Sequence, residues 1–330
     1  MTVTTVRFNQ VAPGLDRDDV AARYRATVEM AAYADAKGMD LVSLEEHHGA
    51  DDGWSPSPLI TAGAVFGATR KIAVMLCAVI TPLYDPLRLA EDLAVLDHLG
   101  GGRLTVVAGL GYRPEEYALL GHDWSRRGRA QDEVLAALLA AWSGEPFEYR
   151  GRTVRITPPP LTRPHPALMV GGSSRAAARR AVRLGLPLFV AAYLPELVGY
   201  YDQLAAEAGL QHGFALLPPE RTRMIHCTED PDKAWDRYGE YFLHEARTYA
   251  SWQTADVSSV VRSAARTPAD LRAEGIYSCL TPDECLEEAR AGGPLGGLLL
   301  HPLCGGMPVE AGWESLRLFG DAVLPRLASL

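Results

Sequence analysis

Residues 71–111, KIAVMLCAVITPLYDPLRLAEDLAVLDHLGGGRLTVVAGLG, hold two short apolar runs with a helical pattern between them. The runs, 72–79 and 104–108, are β-branched and apolar, as strands covered on both faces are. Residues 86–98 place apolar side chains at helical spacing, with Asp85 as N-cap and Pro86 at the first helical position. Strand, helix and strand in that order call for parallel pairing, because parallel neighbours need a crossover connection.

The same alternation extends in both directions. Further strand candidates stand at 3–8, 41–44, 167–170, 188–190, 223–228 and 297–300. Helical spacing recurs at 19–37, 57–68, 131–142, 174–184, 195–209, 231–249 and 281–291. Eight such units in 330 residues suit a closed (β/α)8 TIM barrel of the α/β class better than an open sheet. No linker rich in Pro, Gly or Ser divides the chain, so residues 1–330 read as a single domain. Two segments exceed a minimal barrel. Residues 144–161 read as a hairpin insertion turning at Arg150 and Gly151, and 251–275 as a polar, arginine-bearing insertion suited to a lid.

Composition narrows the partners. Hydrophobic residues make up 48% and charged residues 22%, ordinary for a chain with a large core. The net charge is −9 and the basic residues form no run, which leaves no electrostatic footprint for nucleic acid and points to a small molecule. The 5 cysteines are widely spaced without a CxxC, so neither a disulfide framework nor a zinc site is indicated. No leader pattern opens the sequence and no apolar run reaches membrane-spanning length, so the expectation is a cytoplasmic protein.

In a barrel of this kind the active site lies at the carboxyl ends of the strands. Those positions hold Asn9, Glu46 with His47 and His48, Thr81, Gly109, Gly171 with Gly172, Ala191, His226 and His301. Adjacent histidines point to opposite sides of an extended chain, so LEEHH has the wrong spacing for two ligands of one metal. A histidine at a strand end can instead serve as acid or base near neutral pH; the bland alternative is a satisfied loop residue.

MVGGSSRAAARR, residues 169–180, runs a strand through Gly171 and Gly172 into Ser173, Ser174 and a helix. Free amides at a helix start suit a phosphate; a tight turn with a serine N-cap is the alternative. Gly109 and Gly111 at another strand end would let a flat ring lie against the backbone, or serve as plain turn residues. The aromatic residues Trp54, Tyr112, Tyr193 and Trp252 are candidates for a substrate pocket.

These stretches in this order, LEEHH with SPSPLI, VITPLYDPLRLAEDLAVLDHLGGGRLTVVAGLGY, WSGEPFEYRG, PALMVGGSSRAAARRAVRLGLP and GGMPVEAGWESLRLFGDAVLP, resemble the bacterial luciferase-like family of flavin-dependent oxidoreductases over most of the chain. The resemblance implies a (β/α)8 barrel with insertions, holding FMN or the deazaflavin F420 at its carboxyl end. It implies that Glu46 and His47 form the Glu-His pair beside the flavin, with His48 a second histidine. It places a cis peptide between Cys77 and Ala78 against the flavin ring, and the phosphate on Gly172, Ser173, Ser174 and the Ala177 amide. Leu110 departs from the pattern, because luciferases place a phosphate-holding arginine there.

The activity so implied is a monooxygenase that receives reduced FMN from a separate flavin reductase. With O2 it would oxidise a small organic substrate through a flavin C4a-hydroperoxide. A homodimer paired through barrel helices is implied as well. The alternatives are an F420-dependent oxidoreductase that transfers hydride, for which Arg175, Arg179 and Arg180 lie near the GGSS turn, and a flavin-binding relative without turnover.

Overall fold

Alternation of strand and helix carries through the computed structural model, which describes residues 2–210, 213–220, 223–253, 259, 261–292, 297–327 and 329. In chain order, β1 (Val3–Phe8) leads through α1 (Arg17–Lys37) to β2 (Leu41–Leu44), and α2 (Pro58–Ala68) precedes β3 (Ala73–Ile80). Next come α3 (Pro86–Gly100), β4 (Leu104–Gly109), α4 (Pro114–Leu119) and α5 (Arg127–Trp142). The hairpin strands β5 (Phe147–Tyr149) and β6 (Arg152–Val154) lead to β7 (Ala167–Gly171), α6 (Arg175–Leu184), β8 (Leu188–Phe189), α7 (Pro195–Glu207) and β9 (Ala215–Leu216). Then follow β10 (Met224–Cys227), α8 (Pro231–Trp252), α9 (Pro268–Glu274), β11 (Tyr277–Leu280), α10 (Pro282–Ala291), β12 (Gly297–Leu300) and α11 (Val309–Leu318).

Local chemistry sets the boundaries. Asp85 accepts from the amides of Leu87 and Arg88 and starts α3 where the sequence places it; Gly101, at φ 59°, ends it. The first helix begins at Arg17, before the expected residue 19, because Asp16 caps the amides of Asp18 and Asp19. In the hairpin, Arg150 and Gly151 both have positive φ, 48° and 74°. That is the turn whose twist matches two antiparallel strands, and Phe147 pairs with Val154 across it.

The chain divides into two compact units. One comprises Met1–Pro56, Ala68–Ile72 and Pro218–Leu330. Its strands lie in the order β11-β10-β12-β1-β2, all parallel. Val6, Phe8, Val42, Leu44, Leu298 and Leu300 are buried along these strands. On β10 and β11, α8 packs Trp235, Tyr238 and Phe242 against Met224, Tyr277 and Cys279.

The other unit comprises Ser57–Gly67 and Ala73–Leu217, with parallel strands in the order β3-β4-β7-β8-β9. Here α3 and α5 lie side by side, and the buried Trp142 indole donates to the Ala90 carbonyl at 3.1 Å. The register of β3 against β4 shifts between Cys77 and Val79.

All eight strands read from the sequence are present, and β9 and β11 are additional. The four residues of β11 are all buried, so YSCL shows no alternation of apolar and polar positions to betray a strand. Of the 251–275 insertion, residues 254–258 and 260 lie outside the described residues. Its second half forms α9, started by a capping box of Thr267 and Asp270, and buries Ala265 and Leu271 in the core. No helix among the described residues is long and apolar enough to cross a membrane.

Candidate functional site

The loop after β2 is folded back on the end of β1 by backbone bonds. Ser55 N–H donates to the Asn9 carbonyl at 2.7 Å, and His47 N–H to the Ser55 carbonyl at 2.9 Å. The two histidines diverge, as the extended backbone requires. His48 Nε2 stands 3.0 Å from Glu46 Oε1, whose side chain is fully buried. His47 turns into a cluster of rings: Trp252 at 4.7 Å between centroids, Trp54 at 5.5 Å and Tyr249 at 6.0 Å. Of the four aromatic candidates, then, Trp54 and Trp252 gather at His47, while Tyr193 is exposed.

Two faces of α8 clamp this loop. Glu245, Tyr249 and Trp252 stand at i, i+4 and i+7, so they share one face of the helix, and its last two rings meet His47. His244 and Thr248, again four apart, both reach Asp52 Oδ2, at 2.9 and 3.4 Å.

Glu245 anchors the helix. It is fully buried, and its Oε2 accepts from Asn9 Nδ2 at 2.8 Å and the Gly305 amide at 3.0 Å, with His301 Nε2 at 2.9 Å. Its Oε1 lies 3.2 Å from both Arg7 Nη1 and the Tyr277 hydroxyl. Arg7 in turn holds Glu45 through Nε at 2.5 Å and Nη2 at 2.9 Å. Burial alone would raise the Glu245 carboxyl, but the His301 imidazole and the Arg7 guanidinium override it and hold the group well below the usual carboxylate range.

Glu245, His301 and Cys304 bring ligand atoms within 4.8 Å of one another. The chemistry does not suit a metal. Burial, and then the neighbouring Glu245 charge, push the Cys304 thiol up, and it donates to Glu245 at 3.2 Å. A protonated thiol and a carboxylate surrounded by donors make a structural hub. Sequence reading missed Glu245; its one signal is a carboxylate on the apolar stripe of Tyr238, Phe242, Ala246 and Tyr249.

In the second unit, the peptide between Cys77 and Ala78 is cis. Gly109 lies beside it: a Cβ there would stand 2.8 Å from the Ala78 Cβ and 3.3 Å from the Val79 carbonyl oxygen, so only glycine lets β4 pass. Thr81 Oγ1 donates to the Gly109 carbonyl at 3.4 Å and Gln131 Nε2 to that of Ala108 at 3.0 Å. At the departure noted above, the Tyr117 hydroxyl bonds the Leu110 carbonyl at 2.5 Å.

The GGSS turn leads from β7 into α6. Gly172 adopts φ 150°, with its N–H donating to the Phe189 carbonyl at 3.0 Å, and a Cβ on it would meet Ala177 Cβ at 2.9 Å. Ser174 caps the helix by accepting from the Ala177 amide at 3.2 Å. The Ala177 amide that the resemblance places on the phosphate is thus taken by Ser174, and the first turn of α6 carries Arg175 and no acidic residue. The arginines of α6 face neighbours: Arg175 lies over the Tyr200 ring, Arg179 donates to its hydroxyl at 3.2 Å, and Arg180 reaches Asp132 at 2.5 Å.

Glu46, His47 and His48 thus belong to the first unit, whereas Cys77, Ala78, Gly109, Gly111, Gly171, Gly172, Ser173, Ser174 and Ala177 belong to the second.

A family model described as luciferase-like monooxygenase matches residues 1–292. An FMNH2-dependent dimethylsulfone monooxygenase of Pseudomonas putida is 34% identical over 129 residues, 37% of this chain and 35% of that protein. The crystal structure of monooxygenase RslO1 from Streptomyces bottropensis is similar at TM-score 0.78 and 23% identity, covering 99% of this chain and 100% of that one. The oxygenating constituent of 3,6-diketocamphane monooxygenase from Pseudomonas putida, solved with FMN, reaches TM-score 0.68 at 18% identity over 98% of each chain. The chain spans between about a third and a half of the length of the curated relatives it matches. The solved structures speak for the fold, which is the α/β TIM barrel with insertions expected from the sequence.

Proposed function

The chain belongs to the luciferase-like monooxygenase family, and on that premise we propose that it is an oxygenase using reduced FMN, delivered by a separate flavin reductase, and O2 to oxidise a small organic substrate. The bound flavin would supply the oxygen chemistry. The residues fit the cofactor: a glycine turn closed on a capped helix of ten residues sets a helix start toward a phosphate, and glycine at 109 lets β4 pass close against the Cys77-Ala78 peptide. On this reading Gly171, Gly172, Ser173, Ser174 and the start of α6 hold the phosphate. Cys77, Ala78, Gly109 and Gly111 lie against the ring.

His47 is the acid/base in this account, and the partly buried His48, paired with the buried Glu46, fixes the loop. The observation that carries the assignment is the enclosure of the His47 ring by Trp54, Tyr249 and Trp252, which excludes water from the imidazole. Replacing His47 by Asn tests it: flavin binding should persist while turnover is lost. A variant that keeps full turnover, or a wild type that has none, contradicts the role.

FMN is favoured over F420 because Arg175, Arg179 and Arg180, which a longer anionic tail would need, are engaged by Tyr200 and Asp132. A homodimer is part of the proposal, paired through α2 and α3, where Ile60, Val95 and Leu99 are 77%, 45% and 55% exposed. The location proposed is the cytoplasm.

A further inference from the structure

Three consecutive carbonyls at the end of β4 are each taken by a side chain. Gln131 of α5 donates to the Ala108 carbonyl at 3.0 Å, Thr81 just after β3 to that of Gly109 at 3.4 Å, and Tyr117 of α4 to that of Leu110 at 2.5 Å. All three donor residues are buried. Packing alone does not account for them, because apolar side chains of similar size would fill the same space with no polar group to desolvate. Gln131 even makes its bond with its own Oε1 buried and unpartnered, which costs free energy. Burial pushes the Tyr117 hydroxyl above its ordinary range, so it stays a protonated donor.

What the three bonds share is their effect on the backbone. The peptide is planar, so a carbonyl held by a side chain fixes the tilt of the whole unit. This stretch leaves little room for drift. A Cβ on Gly109 would stand 2.8 Å from the Ala78 Cβ. Gly111 adopts φ 73°, and a Cβ on it would stand 2.8 Å from Ile80 Cγ2 and 3.5 Å from Tyr117 Cε2. The Tyr117 ring thus borders the same bend whose carbonyl its hydroxyl holds.

We propose that Tyr117 is a positioning residue for the flavin ring: through the Leu110 carbonyl it fixes the backbone of residues 109–111 against which the ring lies, with Thr81 and Gln131 holding the two carbonyls before it. The inference rests on the FMN reading and adds to it a residue that acts through the backbone.

The test compares reduced FMN with reduced riboflavin, which keeps the ring and lacks the phosphate. Both are titrated anaerobically by quenching of tryptophan fluorescence, and the circular dichroism of the bound flavin is recorded. Tyr117→Phe removes only the hydroxyl. It should weaken both flavins by the same factor, about threefold to tenfold, the worth of one neutral hydrogen bond, and change the flavin dichroism. Thr81→Val, nearly unchanged in shape, should act in the same direction, whereas Gly172→Ala in the phosphate turn should weaken FMN alone. Where riboflavin binds too weakly to titrate, the dichroism of bound FMN decides. A purely structural role would lower the melting temperature and leave the riboflavin Kd and the flavin dichroism unchanged, and that result overturns the proposal. A wild type that binds neither flavin removes the cofactor reading and the proposal with it; a wild type that binds FMN, with Tyr117→Phe indistinguishable from it, overturns the proposal alone.

Discussion

The Glu245 carboxylate and the His301 imidazole stand 2.9 Å apart, each almost wholly out of solvent. Through Asn9, whose side chain donates to Glu245 and whose carbonyl accepts from Ser55, this pair is tied to the strand of backbone that holds His47. Removing one member of such a buried set leaves the others uncompensated, at a cost of roughly 3–5 kcal/mol. Glu245→Ala should lower the urea midpoint accordingly and move the His47 ring resonances, because Tyr249 and Trp252 lose their anchor.

The same carboxylate sets a pH dependence. Its folded-state pKa is depressed below the ordinary 4.5, so the stability it contributes is present above that value and is lost as pH falls through the folded one. Acid unfolding followed by circular dichroism should be less steep below pH 4.5 in Glu245→Gln than in the wild type. Equal slopes would show that the charge of Glu245 carries no acid sensitivity.

His226 works over a higher window. Burial against Tyr238 and Phe242 pushes its pKa from 6.5 down to about 4. The folded state therefore resists protonation, and stability present above pH 6.5 declines as pH falls toward 4. The full loss is roughly 3 kcal/mol. His226→Phe should flatten the stability profile across that interval, and an unchanged profile would place the titration elsewhere.

The phosphate turn offers a binding test. Gly172→Ala brings a Cβ to 2.9 Å from Ala177 at a φ of 150°, so the turn must shift. FMN binding should weaken by at least about tenfold, equivalent to 1.4 kcal/mol. Fluorescence titration measures it, and an unchanged Kd would remove this turn from the site.

Ile60→Asp and Leu99→Asp place charges on the exposed α2 and α3 positions. Light scattering after size exclusion should show a dimer for the wild type and a monomer for the double variant. The same mass for both would move the interface to another face.

Much of the fold was legible because its signals are local. Asp85-Pro86 starts a helix by itself, Arg150-Gly151 turns a hairpin by itself, and each central strand is a short apolar run between such marks. What escaped depends on partners distant in sequence. Glu245 draws its donors from residues 7, 9, 277, 301, 304 and 305, and no window along the chain contains them together. Arg175 and Arg180 look free in sequence because Tyr200 and Asp132 lie 25 and 48 positions away. The divergence of His47 and His48 was legible from strand geometry, but which of them meets the aromatic rings was not. That choice is made by α8, some 200 residues later.

The central claim is tested most directly by mixing the protein anaerobically with reduced FMN, then with oxygenated buffer, and recording the flavin absorbance. The account requires that reduced FMN binds and that its reoxidation is slower than free in solution, and faster again when a small organic substrate is present. Failure to bind, or reoxidation at the rate of free reduced FMN, would contradict it.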